Sequence, residues 1–141
     1  MAAAIYNKLT CSNDADSVGT YVGASDEPEG QILADLFETP DFFEVMEKNG
    51  MNIRKNSTKR LQPEMLEEYE IVVSMAQEPY VPDFLRNAQK VIWWKVEDAV
   101  SVDRKTVEDT YKKIEGLVRD LIPKANDSAG VTGVATSSLV W

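Results

Sequence analysis

Apolar segments of two kinds alternate along this chain, and the alternation constrains its fold more than any other feature. Short apolar runs at 71–73 and 91–94 predict buried strands. Longer segments carry apolar residues at helical spacing, most clearly from Val107 to Ile122. Strands that alternate with helices are typical of a parallel sheet covered by helices. The sequence therefore predicts an α/β fold, a three-layer sandwich with a parallel sheet.

The remaining segments predict the other elements and the domain division. Further helices are predicted at 1–9, from 31 through Pro40 to 50 as either one kinked helix or two, at 61–66 and at 78–88, and a further strand at 15–18. The last helix is expected to stop at Pro123. We therefore divide the chain into an α/β domain at 1–123 and a linker with a β-prone tail at 124–141.

Composition excludes several classes of function. The 141 residues carry a net charge of −9, with Lys and Arg scattered, which disfavours nucleic acid and anionic membranes as partners. The sequence has no histidine and one cysteine, so it predicts no Cys/His metal site, no internal disulfide and no Cys-His catalytic pair. Nothing in it predicts a cofactor. Without a signal peptide or a long apolar run, we expect a cytoplasmic protein.

Five segments, in order and spacing, resemble the low-molecular-weight protein tyrosine phosphatase and arsenate reductase family. They are the helix at 2–9, the turn at 17–20, and the segments at 59–66, 73–75 and 94–98. The resemblance implies that family's fold. It also implies that a central first strand and a Cys-x5-Arg loop, which would precede the helix at 2–9, are missing. In the family, that loop cradles the phosphate while its thiolate attacks phosphorus.

Two residues bear on catalysis. Cys11 follows the first helix, and the position six residues later is Ser17 rather than arginine, so we interpret Cys11 as a small, partly buried thiol and not as a nucleophile. Asp98 matches the family's general acid, although Ala99 follows it where tyrosine phosphatases usually have proline. The alternative for Asp98 is an exposed loop carboxylate.

The missing central strand has a structural consequence, because its absence would leave backbone edges unpaired. One hypothesis is that the stretch 131–141 fills the vacancy or pairs with a neighbour's sheet edge, which would give a homodimer. The other is that the polypeptide begins at an internal methionine of a longer gene. The sequence alone leaves both open.

Two further features have an ordinary structural interpretation beside a functional one. Arg54, Lys55, Lys59 and Arg60 form a local basic cluster that could attract a phosphorylated partner or, alternatively, balance Glu64, Glu67 and Glu68 on a solvated face. We interpret the adjacent residues Trp93 and Trp94 as one inward and one outward side chain rather than as a pair that stacks on a ligand.

The resemblance leads to three functional hypotheses. The first is a non-catalytic phosphatase-like domain that binds a phosphorylated protein or a small phosphate ester. The second is a fragment of an active phosphotyrosine or phosphomonoester phosphatase with Asp98 as its acid. The third is an arsenate reductase-like protein, which is disfavoured because that chemistry needs further cysteines.

Overall fold

The fold is built on a parallel sheet of four strands, as seen in a computed structural model. The structure describes residues 1–20, 29–35, 40–69, 71–76, 81–96, 103–126 and 132–136, with the backbone alone for 124–126 and 132–136. The strands are β1 (Asp16–Gly19), β2 (Ile71–Ser74), β3 (Val91–Trp93) and β4 (Thr132–Thr136). Their order across the sheet is β1-β4-β2-β3, and every neighbouring pair is parallel.

Five helices flank this sheet within the described residues. They are α1 (Ala2–Thr10), α2 (Asp41–Lys48), α3 (Met65–Glu68), α4 (Asp83–Arg86) and α5 (Arg104–Asn126), with one 3₁₀ turn at Leu33–Asp35. In the described part of the chain no helix is both long and apolar enough to cross a membrane. The α/β fold with a parallel sheet is confirmed, and the predicted strands at 15–18, 71–73 and 91–94 match β1, β2 and β3 to within one residue at each end.

The sheet separates two hydrophobic cores because successive strand residues point to opposite faces. On one face Ile71 and Val73 of β2 pack in the larger core, to which α1, α2 and α5 contribute. On the other face Val72 packs in the smaller core with Leu66 of α3 and Leu85 of α4. All four residues of β2 are buried, as expected for a strand covered on both sides.

Strand β4 occupies the central position that the family resemblance assigns to the missing first strand. Val134 pairs with Ser17 of β1 on one side and with Val73 of β2 on the other. The β-prone stretch therefore pairs within its own chain, as the first form of the vacancy hypothesis states. The expected unpaired edges beside β1 and β2 do not occur.

The helix predicted from residue 31 forms as α2 at Asp41–Lys48, but at the described residues 31–35 it is wrong except for the 3₁₀ turn Leu33–Asp35. The N–H groups of Gly30, Leu33 and Ala34 there donate to the carbonyls of Thr58, Asn56 and Arg54, respectively. Ile32 also forms an antiparallel bridge with Ser57. The apolar spacing at 32–37 is compatible with a helix, and the sequence pattern could not reveal that residues 30–34 bond to the distant segment 54–58 instead. The continuation at 36–37 lies outside the described residues.

The predicted helix ends also need correction. Helix α5 does not stop at Pro123 but ends at Asn126, because a proline in the last turn removes only one of many helix hydrogen bonds. The helix expected at 61–66 lies at Met65–Glu68, and the helix expected at 78–88 lies at Asp83–Arg86, with 77–80 outside the described residues. The division at 123/124 stays a prediction, although α5 runs across it.

Candidate functional site

Cys11 lies at the end of α1 that is unsuited to hold an anion. It is the C-cap of the helix, with φ 52°, and it is exposed. Its Sγ lies 3.9 Å from the carbonyl oxygen of Lys8, to which the thiol donates. Helix C-termini present carbonyl oxygens and the negative end of the helix dipole. The loop that follows leads directly into β1, so Cys11 lies at the amino-terminal edge of the sheet. Its predicted partial burial is wrong.

Asp98 lies outside the described residues. The chain can be followed through β3 to Val96, which is almost fully buried in the larger core. Because β3 is parallel to its neighbours, the segment after it leaves from the carboxyl edge of the sheet, the edge where open α/β sheets commonly bind ligands. The role of Asp98 as a general acid stays a prediction.

Within the described residues, two cations of the basic cluster have carboxylate partners, and the side chains of Lys55 and Arg60 have none. The Arg54 guanidinium lies 5.0 Å from the centre of the Phe43 ring and forms an ion pair with Glu47. Lys59 Nζ lies 2.7 Å from Asp16 Oδ1. Among the described residues Lys55 has no hydrogen-bond or ion-pair partner. Among the described residues no cation of the cluster forms an ion pair with Glu64, Glu67 or Glu68, and the solvated-face interpretation stays a prediction.

A cavity of about 500 Å³ lies next to this segment, between α1, the start of β1 and the loop at 53–59. Its polar lining comes from Asn7, Asn13, Asp16, Ser17, Lys55, Asn56, Ser57 and Lys59, and its apolar lining from Met1, Ala3, Ala4, Ala15, Leu33 and Ile53. Cavities of this volume commonly accept small organic molecules. This cavity is therefore a candidate binding site.

Hydrogen bonds fix one side of the cavity. The Asn7 side chain donates to the carbonyl of Ala15 at 3.0 Å and accepts from the N–H of Ala15 at 2.9 Å, which ties α1 to the start of β1. Asp16 accepts from Lys59, from the N–H of Ser17 at 2.9 Å and from the Tyr69 hydroxyl at 3.4 Å. Burial, followed by the charge of Asp16, raises the pKa of Tyr69, so the phenol stays a donor at neutral pH. The charge of Asp16 is therefore already compensated.

Two groups in the cavity lining have unmet capacity for a ligand. The Ser17 hydroxyl is shielded from solvent and has no hydrogen-bond partner. Lys55 is exposed, and its charge has no partner among the described residues. A buried hydroxyl without a partner is costly, and a bound acceptor would relieve that cost.

The amino group of Met1, at the N-terminal end of α1, adds no positive charge to the cavity at neutral pH. Burial lowers the pKa of this amino group from 8.0 to about 5, so it is uncharged there. Lys55 and Lys59 are therefore the cationic groups that border the cavity in the described structure. Since Lys59 is paired with Asp16, Lys55 supplies the uncompensated positive charge.

In the part of the chain that the structure describes, neither the tryptophans nor the acidic side chains group into a binding site. Trp93 is 46% exposed, whereas Trp94 is partly buried against the larger core, which confirms one outward and one inward side chain. Within the described ranges no three Cys, Asp or Glu side chains are grouped so that they could hold a metal ion.

Sequence reasoning found parts of the cavity without finding the cavity. It singled out Ser17 in a motif and Lys55 in a basic cluster, but nothing local connects these residues to Leu33 or Ile53. The available signal was the unbalanced cation at Lys55, which becomes visible only after the partners of Arg54 and Lys59 are known.

Comparison with known proteins supports the fold assignment. No protein-family model and no curated protein matches the sequence. Among solved structures, a low molecular weight protein tyrosine phosphatase from T. tengcongensis is similar, with a TM-score of 0.64 and 23% sequence identity. The match covers 87% of this chain and 88% of that chain. The chain thus has the fold of a low-molecular-weight protein tyrosine phosphatase, in agreement with the resemblance found in its sequence.

Proposed function

We propose that this chain is a non-catalytic binding domain on a phosphatase-like fold, with a phosphorylated ligand as its partner. The observation that carries the proposal is the position of its one cysteine. Cys11 lies at the C-terminal end of α1, at the amino-terminal edge of the sheet. The thiolate chemistry of the family needs a cysteine where backbone N–H groups converge on the phosphate.

Distance makes the same point. Helix α1 has 9 residues, so its two ends are about 14 Å apart at ~1.5 Å per residue. A phosphate held by N–H groups at the N-terminal end of α1 would be beyond the reach of Cys11, because a reacting thiolate must approach phosphorus to about 3–3.5 Å. Side-chain motion at Cys11 cannot close that distance.

The phosphorylated ligand is supported by the charge on Lys55. An ammonium group binds phosphate oxygens through charge-assisted hydrogen bonds. The other cations of the cluster with a described partner, Arg54 and Lys59, already have carboxylates, so a ligand there would have to compete with Glu47 or Asp16.

A turnover assay tests the non-catalytic half of the proposal. We expect purified chain and Cys11→Ser to leave para-nitrophenyl phosphate equally unhydrolysed, whereas an active phosphatase of the same fold, assayed in parallel, hydrolyses it. Turnover that is lost in Cys11→Ser would instead identify a working cysteine phosphatase and refute the proposal.

Binding is tested separately from turnover. We expect saturable binding of a phosphorylated probe, either a phosphotyrosine peptide or phenyl phosphate, with the unphosphorylated peptide and phenol as matched controls. Failure of both phosphorylated probes to bind more tightly than their controls would refute the binding role.

A second copy of the chain is a further proposed partner. The homodimer through residues 124–141 or the exposed sheet edges stays a prediction, and so does the cytoplasmic location. Sedimentation velocity across a concentration series measures the association: a dimer that persists at low concentration is the expected result, and a monomer throughout would contradict it.

A further inference from the structure

The two edges of the sheet differ in what covers them. At β1, the N–H of Gly19 donates to the carbonyl of Lys59 at 2.8 Å, and the carbonyl of Gly19 accepts from the N–H of Leu61 at 3.0 Å, so the chain itself covers that edge. At β3, which forms the opposite edge, no described residue bonds to the outer side of the strand. This outer side is therefore available to a further strand.

The bonding pattern of β3 shows which of its backbone groups face outward. The N–H of Trp94 donates to the carbonyl of Ser74 in β2 at 2.9 Å. In a parallel ladder the backbone groups of successive residues point to alternate sides, so those of Ile92 face β2, and those of Val91 and Trp93 face away from it. Each of these two outward residues presents an N–H and a carbonyl to an added strand.

The side chain of Trp93 is exposed at this edge. It is 46% exposed, whereas its neighbours Ile92 and Trp94 pack against the larger core and Val91 is buried in the smaller one. Edge strands that resist pairing carry charged residues or proline rather than a large apolar ring. Tryptophan is also among the residues that most often anchor protein interfaces. A strand added beside β3 would cover the Trp93 ring through a cross-strand contact.

The charges at this edge are positive. Lys90 and Lys95 flank β3 and are exposed, and their Cα atoms are about 17 Å apart at ~3.3 Å per residue. Lys90 donates to the carbonyl of Tyr69 at 2.5 Å, and Lys113 of α5 donates to the carbonyl of Lys95 at 2.7 Å. Asp109 borders a small cavity with Lys95 and Lys113 but pairs with neither. The β3 edge is therefore locally basic in a chain of net charge −9.

We infer that the β3 edge is a docking surface for an extended acidic segment of another protein. The segment adds to the sheet beside β3, with its carboxylates near Lys90 and Lys95 and an apolar side chain against Trp93. A second copy of this chain is disfavoured at the edge, because it would gather Lys90 and Lys95 from both copies without a carboxylate between them. This partner is separate from the phosphorylated ligand of the proposed function, so either can fail without the other.

The test is a titration of the ¹⁵N-labelled chain with the peptide acetyl-Glu-Thr-Val-Thr-Val-Thr-Glu-amide, followed by amide chemical shifts. We expect saturable shifts that cluster at residues 90–95 and at their neighbours 72–74 in β2. The same peptide with lysine in place of both glutamates should bind at least about tenfold more weakly, because like charges then meet. A version that is N-methylated at every threonine and valine keeps the charges but lacks the backbone donors, and it should not bind.

Variants of the chain separate the ring, the backbone and the charge. Trp93→Thr keeps a strand-forming residue but removes the ring, and it should weaken binding about tenfold. Trp93→Pro also removes the outward N–H and should weaken binding about threefold more than Trp93→Thr. Lys95→Glu should weaken it about threefold, whereas Lys55→Glu makes the same charge reversal in the loop beside β1 and should leave it unchanged.

These variants also report on the site rather than on the fold. Proline is tolerated on an edge strand where its missing N–H would face solvent, so Trp93→Pro should retain the wild-type amide spectrum away from β3. Trp93→Thr and the N-methylated peptide decide the question without relying on that proline.

Several results would overturn the docking site. They are a glutamate peptide that does not bind, shifts that cluster away from residues 90–95, equal affinity for the glutamate and lysine peptides, and binding that is unaffected by Trp93→Thr. A dimer in sedimentation velocity that persists in Lys55→Glu but is lost in Trp93→Pro would assign the edge to a second copy and overturn the acidic partner. Because the peptide carries no phosphate, its binding is independent of the phosphorylated ligand proposed above.

Discussion

The two faces of the sheet are stabilised in different ways. On one face lie α5 with 23 residues and α1 with 9, and the larger core runs beneath them. On the other face α3 and α4 have 4 residues each. One-turn helices have no stability of their own in water, so the second face depends on a few buried anchors. The comparison shows that one sheet can carry a face stabilised by long helices over a large core and a face stabilised by a few buried side chains.

Strand β4 lies at the centre of the sheet on which both faces are built. A substitution that disrupts its pairing should therefore lower the stability of the chain most. We expect Val134→Pro to prevent cooperative folding, because it removes a ladder N–H from a strand that is paired on both sides. Val134→Ile keeps the N–H and should fold. Equilibrium denaturation of both variants checks this, and a cooperative transition of near wild-type stability in Val134→Pro would show that β4 is dispensable.

Matched core truncations compare the faces directly. Ile114→Ala, on the buried side of α5, should lower the free energy of unfolding by about 4 kcal/mol because the long helices cannot collapse into the cavity that it leaves. Leu85→Ala, at the other face, should cost about 2–3 kcal/mol, since the one-turn helix α4 can adjust. Urea denaturation measures both.

Hydrogen exchange in the two variants Ile114→Ala and Leu85→Ala tests whether the two faces of the sheet differ in stability. Hydrogen exchange should show that Leu85→Ala increases exchange mainly in residues 65–68 and 83–86, while Ile114→Ala increases it throughout the sheet. Equal costs with equally global exchange would mean that the two faces unfold as one unit.

Alkaline pH should weaken the face of the long helices selectively. Burial, together with the hydrogen bond that the Tyr111 hydroxyl donates to Glu115 at 3.1 Å, raises the pKa of Tyr111 from 10.0 to about 12. The folded state thus favours the protonated phenol. The stability that Tyr111 gains from staying protonated is fully present below pH 10 and is lost as the pH rises through 12.

Tyr111→Phe isolates this contribution. The variant lacks the titrating hydroxyl, so its free energy of unfolding should fall less between pH 9.5 and pH 11.5 than that of the wild-type chain. Guanidinium denaturation at the two pH values provides the measurement. Identical losses in the two proteins would assign the alkaline sensitivity to other groups.

The smallest expected effect is at the cavity. In the absence of ligand, Ser17→Ala should stabilise the chain by up to about 1 kcal/mol, because it removes a buried hydroxyl with no partner. Ser12→Ala is the matched control, since the Ser12 hydroxyl lies 2.6 Å from that of Thr10, and it should be neutral or slightly destabilising. Thermal unfolding resolves the two signs, and destabilisation by Ser17→Ala would show that its hydroxyl is already bonded.

Local patterns predicted the elements whose stability is local or whose burial is uniform. The apolar spacing of α5 and the β-branched run of β2 are examples, and the exposed Trp93 agrees with alternation along β3. Pairings between distant segments could not be predicted in this way. The residues around Ile32 follow 54–58 instead of forming a helix, and only the assembled sheet shows that 132–136 lies at its centre.

The candidate site was harder to predict than the fold for the same reason. The sequence could name Ser17 and the basic cluster, but the cavity requires that α1, β1 and the loop at 53–59 be brought together. The partners of Lys59 and Arg54, Asp16 and Glu47, lie 43 and 7 residues away along the chain, and neither pairing follows from a local motif.

The central position of β4 also sets when this protein can fold during synthesis. Every other described strand and helix leaves the ribosome before β4, yet β1 and β2 have no direct contact in the sheet and are joined only through it. Nascent chains are made at about 5–20 residues per second, so the incomplete sheet waits for seconds with two edges open. We expect stable folding to wait until β4 has been made and has left the ribosome, and chaperones that cover strand edges to matter most in that interval.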